Sequence, residues 1–122
     1  LVLKADELAK NAVDVNGTAM LVERIDNVEG NTLKDMVMTL RDKIDGVVFI
    51  GGSHNGKVVF VSGASQKAVK AGCHCGNLVK QAALICDGKG GGRPDLAQAG
   101  GKSDEKLDEA LKDVKNKLGL GL

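Results

Sequence analysis

The sequence predicts an α/β domain built on one mixed β-sheet, with a hairpin and flanking helices. Short β-branched runs at 18–24, 47–51 and 57–61 alternate with segments whose apolar residues recur at helical spacing, the pattern of strands interleaved with helices. Asn55-Gly56, between two of these runs, is a hairpin signal, so at least one strand pair is antiparallel. The length of 122 residues suits one domain, which can bury roughly two-thirds of its unfolded surface.

In chain order, residues 1–12 read as the end of a longer helix, because Ala5, Leu8, Ala9 and Ala12 share a face opposite Lys4, Asp6, Glu7 and Lys10. Residues 1–14 are therefore expected to be a preceding helix and linker, and 15–122 the domain proper. Val15-Asn16-Gly17 supplies a turn before a buried strand over 18–24. From Asn31 or Thr32 as N-cap, Leu33, Met36, Val37, Leu40 and Ile44 mark an amphipathic helix closed by Gly46. The runs at 47–51 and 57–61 then pair through His54-Asn55-Gly56, a loop longer than two residues. Ser65 caps a short helix over 66–71 that Gly72 interrupts, and Asn77 caps a second in which Leu78, Ala82 and Ile85 share a face. A brief strand is expected at 97–99. Ser103 caps the last helix, with Asp104 and Glu105 at its positive end and an apolar stripe of Leu107, Ala110, Leu111, Val114 and Leu118.

Composition narrows the function classes. Two Phe and no Trp or Tyr argue against the aromatic stacking platforms of single-strand binders. Three cysteines, Cys73, Cys75 and Cys86, suit reduced thiols in a cytoplasmic protein better than a disulfide framework. No apolar run is long enough to span a bilayer, so no membrane partner is expected. The net charge of +1 conceals a division: residues 57–102 carry seven basic and two acidic side chains, whereas both flanks are net acidic. That excess steers a phosphate-bearing partner toward the middle of the chain, unless it is a chance clustering of solvated lysines.

The centre of that region is Gly88-Lys89-Gly90-Gly91-Gly92-Arg93-Pro94-Asp95-Leu96-Ala97-Gln98-Ala99-Gly100-Gly101, with six of the seventeen glycines and the only proline. A polar glycine run is ordinarily a flexible connector, but a rigid Pro-Asp turn and small apolar residues directly after it are not linker composition. A glycine loop that lets a partner approach the main chain, topped by a forked guanidinium, suits anion binding.

The motif from Gly90 to Gly101, supported by Val47-Val48-Phe49-Ile50-Gly51-Gly52-Ser53, by 57–63 and by His74-Cys75-Gly76-Asn77-Leu78-Val79-Lys80, resembles the C-terminal, DHH-associated domain of bacterial alanyl-tRNA synthetases. The resemblance covers roughly residues 8–118. It implies a DHH-associated fold and a non-catalytic tRNA-binding module that grips the outer corner of alanine tRNA, supporting aminoacylation and editing. The partners it implies are that tRNA, the catalytic and editing domains of the same chain, and a possible homodimer. It implies no cofactor in this segment, with ATP, Mg and zinc used by other domains of the enzyme. Two alternatives stand beside it. One is the nucleotide-binding substrate domain of a DHH-type phosphoesterase, against which Arg93-Pro94 speaks, because related domains usually carry His there. The other is a dimerisation domain.

The residues expected to bind nucleic acid are Lys89, Gly90, Gly91, Gly92, Arg93, Pro94 and Gln98 of the stretch, with Lys70, His74 and Lys102 around it. Arg93 can take a phosphate in two places while the Gly91 and Gly92 amides form an anion-binding nest, or it can brace the loop through Asp95. Gln98 can bond sugar or base edges or satisfy loop backbone, and Lys67, Lys70, Lys89 and Lys102 make an electrostatic rim. Cys73-His74-Cys75 has zinc-type ligands at a spacing that zinc knuckles do not use, so no metal is expected. His74 is left to touch RNA or to cap the helix that follows.

Overall fold

Among the described residues, the alternation of apolar runs and amphipathic segments resolves into five helices on one six-stranded sheet. The structure is a computed structural model and describes residues 2–120; Leu1 of the first expected helix and the last two positions of the expected 15–122 domain lie outside them. The elements are α1 (Val2–Ala9), β1 (Val13–Val15), β2 (Thr18–Arg24), α2 (Gly30–Ile44), β3 (Gly46–His54), β4 (Lys57–Ala64), α3 (Gln66–Lys70), α4 (Cys75–Ile85), β5 (Lys89–Gly92), β6 (Leu96–Gly101) and α5 (Leu107–Lys117). The strand order is β1-β2-β3-β4-β6-β5. Only β2 and β3 run parallel, joined by a crossover through α2, and every other neighbouring pair is antiparallel.

Helices cover both faces, so the central strand β3 is buried from Gly46 to Gly52 and reads as a continuous apolar run rather than an alternation. On one face Val47, Phe49, Phe60 and Ala99 pack against Val79, Ala82 and Ala83 of α4 and Leu107, Leu111 and Val114 of α5. The Phe49 and Phe60 rings lie 5.6 Å apart, a tilted pair that fills the centre of this layer. On the other face Leu21, Val48, Ile50 and Val61 meet Leu33, Met36, Val37 and Leu40, the expected stripe of α2. The buried Ser62 hydroxyl donates to the Val48 carbonyl at 2.8 Å, so no polar atom there is left unpaired.

Several ends differ from expectation. Residue 55 and residue 56 alone turn β3 into β4, with φ of 54° and 78° and His54 opposite Lys57, so the hairpin loop is two residues long. Asn16-Gly17 makes a second such turn, and the strand before it, β1, went unread because it is only three residues long. α2 starts two to three residues earlier than an Asn31 or Thr32 cap would place it, from Glu29 without a side-chain cap, and ends on Asp45 in the left-handed conformation. Gly46 instead begins β3, where a side chain would run into the Ala19 backbone. Ser65 does cap α3, accepting from the Ala68 amide at 3.3 Å. α4 is capped by His74, not Asn77. Ser103 bonds only the Glu105 amide, and α5 begins at Leu107, leaving Asp108 and Glu109 as its first-turn acids. The strand expected at 97–99 extends over six residues as β6.

Candidate nucleic-acid interface

The glycine stretch is a β-hairpin at the sheet edge rather than a loop. β5 pairs with β6 from Lys89 opposite Gly100 to Gly92 opposite Ala97. Its glycines are demanded mostly from within. A methyl at Gly90 would overlap Ala99 and come within 2.9 Å of the Gln98 carbonyl oxygen, and one at Gly92 would lie 2.8 Å from Ala97. Gly91 is the exception, for a methyl there would meet nothing within 4 Å. The close approach that the glycines permit is thus mainly that of the chain's own neighbours. The expected nest of Gly91 and Gly92 amides does not form, because successive amides of an extended strand point to opposite sides, whereas a nest needs them to converge.

Arg93, Pro94 and Asp95 turn β5 into β6, and this tip is held from four sides. The Arg93 amide donates to the Leu96 carbonyl at 3.1 Å, and the Asp95 carbonyl accepts from the Ala64 amide at 2.9 Å and from the half-buried Arg41 guanidinium at 2.7 Å. The Pro94 and Arg93 carbonyls accept from the first two amides of α4, those of Cys75 and Gly76, at 3.0 and 3.2 Å. The backbone of the tip is therefore fixed while the Arg93 side chain stands 72% exposed, its guanidinium 3.3 Å from the half-exposed Asp95 carboxylate. An ion pair so open to water contributes little and leaves most of the guanidinium's donors free.

A shallow cavity of about 280 Å³ lies beside the tip, lined by Lys34, Gly91, Gly92, Arg93, Leu96, Ala97 and Gln98. The structure thus brings together four of the expected site residues, Gly91, Gly92, Arg93 and Gln98, and adds Lys34 from α2. Pro94 sits exposed on the tip next to them, and Lys70 and His74 lie at the same end, since α3 leaves β4 there and α4 begins there. Gly90 is taken up by the contact with Ala99. Lys89 and Lys102 lie at the opposite end of the hairpin, ~10 Å along the strand from the tip. The rim is two clusters, one at each end of the edge.

His74 turns one edge of its ring to the protein: Nδ1 accepts the Asn77 amide at 3.1 Å, which fulfils the capping alternative. The flanking thiols are poor ligands in this setting. Burial pushes the Cys75 thiol up to about 11 and raises that of Cys73, so both are protonated at neutral pH. Among the described residues no three His, Cys, Asp or Glu side chains converge on a metal-sized space. Lys34 escaped the sequence reading because nothing local marks it: it is one exposed lysine on the polar side of α2, placed at the hairpin only by the packing of that helix on β4 and β6.

This geometry can be set beside known proteins. The DHHA1 domain family model matches residues 17–119. Over 113 residues, 92% of the chain, it is 46% identical to the alanine–tRNA ligase of Alkaliphilus oremlandii, and over 116 residues 41% identical to that of Bacillus pumilus. The chain spans about 13% of the length of each of these relatives. The crystal structure of the C-Ala domain from Aquifex aeolicus alanyl-tRNA synthetase superposes with a TM-score of 0.76 at 30% identity, covering 86% of this chain and 95% of that one. Taken with the mixed sheet and its glycine edge, these likenesses show that the chain belongs to the DHHA1 domain family, in the form found in alanine–tRNA ligases.

Proposed function

We propose that this domain is the tRNA-binding module of an alanine–tRNA ligase acting in the cytoplasm, and that its β5–β6 edge docks the outer corner of alanine tRNA to support aminoacylation and editing elsewhere in the enzyme. One observation carries the reading: a rigidly held hairpin tip presents the exposed Arg93 beside Lys34, the amide of Gln98 and the bare backbone of Gly91. Guanidinium and ammonium groups fit phosphate, the amide fits sugar or base edges, and a surface poor in aromatics suits recognition of folded RNA by shape and backbone. In this reading the domain binds and other parts of the enzyme do the chemistry. The Arg93-Pro94 pair favours this over the phosphoesterase alternative.

The test is a fluorescence titration of the chain against alanine tRNA and an unrelated tRNA over 50 to 300 mM salt. Affinity should fall steeply with salt, with about one order of slope for each phosphate neutralised, and an Arg93→Ala variant should bind more weakly with a shallower slope. A flat salt response, or unchanged affinity in a folded Arg93→Ala variant, would remove the hairpin from the interface.

A further inference from the structure

The N-terminus of α4 is closed by two different devices that meet on one turn. Its first two amides, of Cys75 and Gly76, donate to the carbonyls of Pro94 and Arg93, and the third, of Asn77, donates to His74 Nδ1. Gly76 is where they touch: a methyl there would lie 2.9 Å from the His74 ring and 3.0 Å from the Gly92 carbonyl carbon. The end of the helix is therefore not an open anion site; its donors are spent on the tip and on the imidazole.

We propose that His74 is a positioning residue, which caps α4 from its own side and so holds the helix end on which the Arg93–Pro94 tip is seated, fixing where the guanidinium meets RNA. The proposal rests on the reading of the hairpin as the RNA interface, and it has His74 act through Arg93 rather than on the RNA.

The chemistry of the ring separates the two roles. Nδ1 can accept from Asn77 only while it carries no proton, which leaves the ring proton on Nε2. Protonation turns Nδ1 into a donor facing an N–H at the positive end of the helix, and the cap is lost. The charged groups on the elements packed around this turn are Arg93 and Asp95 of the tip, Arg41 of α2, which bonds the Asp95 carbonyl, and Lys70 of α3, with the Cys73 and Cys75 thiols on either side. A positioning His74 is therefore replaceable by a neutral side chain that caps α4 from the same place. A ring in direct contact with phosphate is not.

The experiment measures alanine tRNA affinity at pH 7.5 and fixed ionic strength for the wild-type chain, His74→Asn and His74→Ala, together with the ¹⁵N–¹H shifts of the Arg93 and Gly76 amides. Asparagine keeps a capping oxygen, so His74→Asn should match wild type. His74→Ala should bind about fivefold more weakly at pH 7.5. The Arg93 amide shift should move in His74→Ala and return to its wild-type place in His74→Asn. A His74→Asn variant as weak as His74→Ala would overturn the proposal in favour of direct contact. Should His74→Ala not fold, wild type against His74→Asn decides. Should tRNA not bind, the interface reading fails, and the amide shifts decide alone: an Arg93 amide displaced in His74→Ala and restored in His74→Asn supports the coupling, and one that neither variant moves overturns it.

Discussion

Gly91 stands directly across the β5–β6 ladder from Gln98 with open space where its side chain would be, while its neighbour Gly90 is pressed against Ala99. Two adjacent glycines of one strand therefore answer to different demands. Gly90→Ala should destabilise the fold by about 1–3 kcal/mol, as overpacking does, whereas Gly91→Ala should stay within about 0.5 kcal/mol of wild type. Urea midpoints of the two variants measure this, and equal losses would show that β5 is not seated against β6 as described.

Arg41 and Arg93 should separate stability from binding. Arg41 is half-buried and its guanidinium holds the Asp95 carbonyl, so Arg41→Ala should lower stability by about 1.5–3 kcal/mol, the range for a hydrogen bond to a charged group. Arg93 has a largely exposed side chain, and Arg93→Ala should leave the urea midpoint nearly unchanged while weakening tRNA binding by about 1.5–3 kcal/mol. A cross-over of the two effects would reverse the assignment of brace and contact.

Asp45 ends α2 in the left-handed region, at φ 51°, and places a carboxylate at the negative end of the helix dipole. Both features are unfavourable for an aspartate, so Asp45→Gly should raise stability by about 0.5–1 kcal/mol. Thermal melts at matched pH would register this as a gain of a few degrees; a loss would mean that the carboxylate has a role that its cap geometry does not reveal.

Cys75 gives the fold an alkaline limit. Its folded-state value, pushed up to about 11 by burial, exceeds that of an unfolded thiol near 8.5, so the stability it contributes is complete below about pH 8.5 and is lost as pH rises through 11. Urea midpoints should fall between pH 9 and 11, and Cys75→Ala should flatten that fall relative to wild type. The same burial makes Cys75 slow to alkylate, so iodoacetamide should modify the half-buried Cys73 first, as peptide mapping over time would show.

Asp26 works in the acid direction. The Ser53 amide and the Arg24 guanidinium hold its carboxyl below the usual range, so its contribution is present above about pH 4 and disappears as pH falls through the lowered value. Asp26→Asn should be less stable than wild type at pH 7 and converge on it near pH 2, by urea midpoints at the two pH values. A constant gap would show that the charge is not what matters at this site.

The parts of this fold that were legible in the sequence are those fixed by periodicity. The α2 stripe and the β-branched runs appear where their spacing put them, because burial on the sheet rewards the same residues that the pattern marks. Caps were less legible. Thr32 and Asn77 have capping side chains but lie inside their helices, since the point where each helix begins is set by how the preceding chain leaves the sheet. The glycine stretch reads as a loop in the sequence because glycine weakens strands, but close neighbours on β6 leave Gly90 and Gly92 no room for side chains and so reverse that preference there. Lys34 belongs to the site through tertiary packing alone, which one-dimensional spacing does not carry.

The outermost position of β5 also shapes how this surface opens. A strand of four residues, three of them glycine, ladders to β6 alone and brings no large side chain to either core layer, so letting it go sacrifices little burial. Its amides should exchange with deuterium well before those of β3 and β4, through an opening that leaves the rest of the domain intact. Engagement of a ligand by this ribbon would then slow its exchange ahead of any other segment, making the edge its own reporter.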